Sequence, residues 1–185
     1  VVRVSGPNSV LLADGNEVVL AGILMPTALD IPVTTAVWPP AREAATAFAK
    51  LVVGKSLQFA LLDDRRDRYG RQRVHAFVDD AGGRLWVQSS LVKLGQARVV
   101  AENMTSACAG ELLKLEELAR QRRDGLWRHA AYAVRPADKP KDLLRYRSSY
   151  QIVEGVVVSV SQVRSKLFLN FGKNRRTDFT IGLFG

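Results

Sequence analysis

The residues best equipped for chemistry stand together between Asp63 and Arg73, in the string DDRRDRYGRQR. Its acids and bases alternate, and such a run cannot be buried as a block. Arg71 reads two ways, as a contact to a phosphate or as an ion pair with Asp67. Tyr69 offers a stacking face between Arg68 and Arg71, and Arg73 adds charge beyond them. Cationic side chains interleaved with an aromatic suit single-stranded nucleic acid, although Asp63, Asp64 and Asp67 lower the local net charge. A second basic concentration runs from Arg135 to Arg147 and includes Arg145 and Arg147. A third is formed by Lys173, Arg175 and Arg176. With Tyr146, Tyr150 and Phe171 close by, the C-terminal part is the stronger candidate for binding a polyanion.

Other chemistries have less to stand on. Cys108 is the single cysteine, so neither an internal disulfide nor a cysteine-based zinc site can form within the chain. Its Ala-rich surroundings mark it as a small buried hydrophobe. His75 and His129 are far apart in sequence, which argues against a histidine-rich metal site. The charge balance is strong: 27 Lys and Arg against 18 Asp and Glu leave a net +9, and the pI is near 10.1. Such a chain favours polyanions as partners. Mean hydropathy is −0.02, and no apolar run has membrane-spanning length, so no membrane span is expected. The chain opens at Val1, as it would after removal of a targeting segment; this leans towards a secreted or periplasmic location over a cytoplasmic one.

The elements that position these residues follow from period and punctuation. Val1–Ser5, Ser9–Ala13 and Glu17–Ile23 read as a three-strand meander, with Asp14-Gly15 as a tight hairpin turn. Residues 24–40 hold four prolines and form a long loop, and a loop of that length in a compact domain is often functional. Pro39-Pro40 then open a helix over 41–53 with Ala45, Phe48, Ala49 and Val52 inward, stopped by Gly54. A strand over 56–62 precedes the charged loop. From Gln72 the pattern alternates, with Val74, Ala76 and Val78 inward and Arg73, His75 and Phe77 towards solvent. A short helix spans 86–94 and an extended piece 97–100. A longer helix capped by Thr105 or Ser106 runs to Asp124, with Leu112, Leu115, Leu118 and Ala119 inward and Glu116 paired to Arg120 on its surface. Residues 133–149 read as a basic linker. Strands are expected over 150–160, 166–171 and 177–183 as a C-terminal β extension of 150–185, able to belong to a second small β domain or to pair with a protein partner.

Four stretches carry a resemblance: LADG followed by VVLAGI and a proline, DRYGR before a strand, VQSSLVKLGQARV, and ELARQRRDGLW. In this order and spacing, residues 1–132 resemble the staphylococcal nuclease-like (thermonuclease) family. The resemblance implies an α+β fold, mainly β, built on a five-stranded Greek-key barrel of the OB type with helices packed on it. It also implies metal-assisted phosphodiester hydrolysis. Two carboxylates hold one Ca²⁺, a Glu positions or deprotonates water, and two Arg neutralise the phosphoryl oxygens. At the matching positions this chain reads otherwise. The first metal carboxylate falls at Pro7-Asn8, the first Arg at Val19, the second metal Asp at Leu24, and the Glu at Thr27; Arg71 alone is kept. The expectation is therefore a family domain that has lost hydrolysis, needs no cofactor, and binds nucleic acid (DNA or RNA) or another macromolecule. Two alternatives stand beside it: a Ca²⁺-dependent nuclease with a site rebuilt from Asp30, Asp63, Asp64 or Asp67, and a structural protein-binding domain working through its C-terminal strands.

Overall fold

The computed structural model describes residues 1–30, 38–80, 82–100, 106–174 and 176–184, with the side chains at 62–65 and 106–107 excepted. It divides into two compact units, Val1–His129 and Ala130–Gly185. Among the described residues no helix is long and apolar enough to cross a membrane.

The first unit is an α+β structure built on one sheet of mixed strands. β1 (Arg3–Gly6), β2 (Ser9–Leu11) and β3 (Glu17–Leu20) form the expected meander. The β2–β3 turn closes as an Asx turn, in which Asp14 accepts from the Asn16 amide (3.0 Å) and side chain (2.8 Å). The period of two sends Val10, Val18 and Leu20 into the core. β6 (Gln72–Asp80) runs parallel to β3 and antiparallel to β5 (Leu57–Arg66), and β7 (Gly83–Trp86) joins its far end.

The strand expected over 17–23 is broken in two. Gly22 takes φ +74°, a left-handed corner that a side chain resists, and β4 (Ile23–Leu24) leaves the sheet to pair with β8 (Arg98–Val99). That corner opens a gap in the ladder of β6 between its register with β3, which ends at Val74, and with β7, which starts at Phe77. Gln88 fills the gap. Fully buried on α2 (Val87–Lys93), it accepts from the Ala76 amide (3.1 Å) and donates to the carbonyls of Val74 (2.8 Å) and Ala21 (3.4 Å). A Gln88→Leu variant leaves the Ala76 amide buried without its acceptor, while the Val74 carbonyl keeps the Ala21 amide (2.9 Å). It is expected to lose about 2–4 kcal/mol of stability in a urea titration.

The helices cover the sheet. α1 (Pro39–Val52) buries Pro40, Ala44, Phe48 and Val52. Phe48 and Val52 point inward as expected, whereas Ala44 is buried in place of Ala45, which is exposed, and Ala49 is half-buried. α3 (Ser106–Arg122) presents Leu112, Glu116 and Ala119, which are buried, while Leu118 stays 48% exposed. The stripe i, i+4, i+7 contains Glu116 because the Val99 amide needs an acceptor there, and Glu116 Oε1 takes it at 2.9 Å. The expected surface role for Glu116 is thereby corrected, and so is the inward role for Leu118.

The second unit corrects the linker reading of 133–149. β9 (Arg135–Pro136) pairs in parallel with β10 (Val153–Glu154), and α4 (Pro140–Leu143) begins on its proline. The Arg135 guanidinium lies 3.4 Å over the Tyr146 ring and donates to Gln151 (2.7 Å), contacts that fold this basic stretch instead of leaving it extended. The strand expected over 150–160 is likewise divided, into β10 and β11 (Ser159–Val163). β11, β12 (Lys166–Asn170) and β13 (Thr180–Phe184) make an antiparallel three-stranded sheet.

Candidate nucleic-acid interface

The β1–β2 turn, the segment after β4 and the start of β6 carry the positions singled out by sequence. Asn8 is tied to β3, donating from its side chain to the Leu20 carbonyl (3.3 Å) while its own carbonyl accepts from the Leu20 amide (2.8 Å). Val19 is buried, in register with Ser9 on one side and Arg73 on the other. Leu24 faces Arg98 across the β4–β8 pair. Thr27 donates twice to Asp30, from its amide and from its hydroxyl, each at 3.1 Å. Pro7 and Thr27 come together in a cleft of about 400 Å³, whose other walls include Val4, Met25, Ala41 and Ala45. The polar side chains of that lining are the hydroxyls of Ser5 and Thr27.

Two of the carboxylates proposed for a rebuilt site, Asp30 and Asp67, are engaged elsewhere. Asp30 receives Thr27 and, at 3.3 Å, the buried guanidinium of Arg98. Asp67 accepts from the amides of Tyr69 (2.9 Å) and Arg71 (3.0 Å) and from the Arg71 side chain. The side chains of Asp63 and Asp64 lie outside the described residues. Among the described residues no group of three or more His, Cys, Asp and Glu is placed to hold a metal ion. Ca²⁺ is a hard ion bound by several oxygen ligands, carboxylates foremost, and the side chains at 8, 24 and 27 supply an amide, a hydrocarbon and a hydroxyl. That donor set does not fit the ion.

Residues 17–129 match the model of the staphylococcal nuclease homologue family. The chain belongs to that family. No curated protein matches it.

In this nuclease-like domain Arg71 is the centre of a polar cluster. Its guanidinium pairs with Asp67 at 2.8 Å and reaches Glu17 at 3.7 Å. Glu17 in turn accepts from the hydroxyls of Ser9 (2.9 Å) and Ser5. The two serine hydroxyls, and then the Arg71 charge, hold the Glu17 carboxyl below its ordinary value. Burial opposes the ionised form of Asp67, but the Arg71 and Tyr69 hydrogen bonds outweigh it and lower its pKa as well. Arg71 is raised correspondingly, first by its hydrogen bond to Asp67. Tyr69, 65% exposed, has the guanidinium of Arg68 at 4.8 Å and that of Arg71 at 4.9 Å from its ring centre. The structure thus brings Arg68, Tyr69 and Arg71 together. Arg73 follows on β6, where its register partner is Val19. Arg145, Arg147, Lys173 and Arg176 are exposed in the second unit, and Arg175 lies outside the described residues.

Sequence reasoning passed over Ser5, Ser9 and Glu17. Their signal was the alternation itself: Ser9 and Glu17 occupy the side of the β2–β3 hairpin opposite Val10 and Val18. His75 also departs from expectation. It is buried rather than solvent-facing, because Trp86 stands edge-on to it at 5.3 Å. Burial lowers its pKa, and no described group bonds its Nδ1.

Glu116 gives a pH signature to the domain. Burial, ahead of every opposing contact, raises its pKa. A raised carboxyl contributes most stability below its unfolded value, roughly 4.3, and loses that contribution as pH rises through the folded value. Glu116→Gln keeps an acceptor for Val99 and removes the titration. The variant is therefore expected to gain stability over the native chain on going from pH 4 to neutrality, in paired urea titrations.

Proposed function

We propose that this member of the staphylococcal nuclease homologue family has lost phosphodiester hydrolysis and serves as a nucleic-acid-binding module. The observation that carries the reading is the cleft where Pro7 and Thr27 meet: the positions at which the family's chemistry needs carboxylates hold none, and Asp30 and Asp67 are spent on Thr27, Arg98 and Arg71. We read the mixed sheet of the first unit as the family's five-stranded OB-type barrel, a fold that presents one face to single strands. Arg68, Tyr69, Arg71 and Arg73 supply cations around an aromatic on that face. Arg145, Arg147, Lys173 and Arg176 add charge in the second unit.

The test is binding of labelled single-stranded DNA and RNA in metal-free buffer, repeated across a salt series. A contact made through about three phosphates gives a log–log slope near −2. Tight binding with no salt dependence contradicts the reading, as does no binding to either strand.

A further inference from the structure

The second unit is short of apolar core. Its buried apolar side chains, among the described residues, are Tyr132 and Ala137. One face of its three-stranded sheet is meanwhile open. Val160, Leu169 and Ile181 form one cross-strand row on that face, and Gln162, Leu167 and Leu183 the next. Val160 is 59% exposed and Leu183 49%. The edge strand β13, Thr180–Phe184 (TIGLF), has β12 on one side and no described strand on the other. It contains no charge and no proline, the usual devices that keep an edge from pairing.

Charge brackets this edge. Lys173 and Arg176 sit exposed in the turn that leads into β13. The one carboxylate of that turn, Asp178, is occupied by the Asn174 amide at 2.6 Å. At the other end Lys166 stands opposite Phe184, with its ammonium 5.1 Å over the ring. The unit as a whole carries ten Lys and Arg against four Asp and Glu. A second copy pairing antiparallel along β13 would set the Lys173 and Arg176 end of one strand beside the Lys166 end of the other. Cations would then meet at both ends, a like-charge juxtaposition that disfavours self-pairing.

We infer that β13 is a strand-addition site for a protein partner: an extended segment with apolar residues at alternate positions and acidic residues at both ends. Its backbone would complete the edge ladder, its alternate side chains would cover Ile181 and Leu183, and its carboxylates would meet Lys166, Lys173 and Arg176. This surface shares Lys173 and Arg176 with the nucleic-acid reading but uses no residue of the Arg71 cluster, so its failure leaves the Arg71 part of that reading standing.

The probe is a synthetic peptide with a five-residue Val/Thr alternation flanked by Glu pairs. It is compared by fluorescence anisotropy, on the full chain, with a Lys-flanked copy and a copy N-methylated at alternate amides. The Glu-flanked peptide is expected to bind at least about tenfold more tightly than either. Leu183→Glu, which removes the apolar contact and sets a carboxylate against the acidic flanks, should abolish that binding, and the double substitution Lys166→Glu with Arg176→Glu should transfer the preference to the Lys-flanked peptide. All three positions are at the surface, and unchanged thermal unfolding confirms that the variants fold. Equal binding of the three peptides, or binding of none, overturns the inference. So does occupation of the same edge by something else: a dimer, adhesion to phosphatidylserine vesicles or binding of an oligothymidine that is lost in Leu183→Glu.

Discussion

Gly95→Ala should cost the first unit about 3 kcal/mol, a fall of roughly 6–12 °C in its Tm. Two turns meet back to back at this point. Gly95 ends α2 with φ +64°, and a Cβ placed on it would lie 2.3 Å from the Asp124 carbonyl oxygen. Gly125, at φ +52°, faces it, and its own Cβ would lie 2.2 Å from the Gly95 carbonyl oxygen. The Leu126 amide donates to Gly95 at 2.8 Å and ties the end of α2 to the turn after α3. The obstacle is backbone, which no rotamer change can move aside, and the left-handed φ adds a separate penalty. Gly82→Ala is the control: open space surrounds its Cβ position and its φ is not left-handed, so its effect should stay within about 0.5 kcal/mol. If calorimetry finds the two variants equal, the close approach of the turns is wrong.

Arg71→Ala should weaken binding of single-stranded nucleic acid by about tenfold to a hundredfold, the range expected for loss of a charge-assisted phosphate contact. The effect has two parts. A cation is removed, and Glu17 and Asp67, which now neutralise it at 3.7 and 2.8 Å, are left facing the phosphates. Glu17→Gln should act in the opposite direction, since an incoming phosphate no longer competes with that carboxylate; an increase of about threefold at neutral pH is expected for one partly screened charge. The pair separates a binding role from a scaffolding one. If Arg71→Ala lowers stability and leaves affinity and its salt slope untouched, Arg71 is a strut for the turn at Asp67–Gly70 and the interface lies elsewhere.

Much of this architecture was legible in the sequence, and the exceptions have physical causes. The β1–β3 meander, α1, α2 and the β11–β13 sheet follow from alternation, prolines and glycines, all local signals. The corner at Gly22 was hidden inside an unbroken apolar run, EVVLAGI, because periodicity does not report where a strand changes partner. His75 and Glu116 were misplaced for a related reason: a polar residue on an apparently outward position is buried when another element, Trp86 or the Val99 amide, arrives to cover or engage it. The absence of carboxylates at 8, 24 and 27 could be read directly. The engagement of Arg71 by Glu17 could not, since the two stand far apart in sequence and meet only through the parallel pairing of β3 with β6.

The most direct test of the account is Ca²⁺-dependent cleavage of labelled single-stranded DNA and RNA, with binding read in the same tubes before metal is added. The account predicts salt-sensitive binding that weakens in Arg71→Ala, and no cleavage when Ca²⁺ is supplied. Cleavage that needs Ca²⁺ and disappears in Arg71→Ala would contradict it, and would turn attention to Asp30, Asp63 and Asp64 as ligands of a rebuilt metal site.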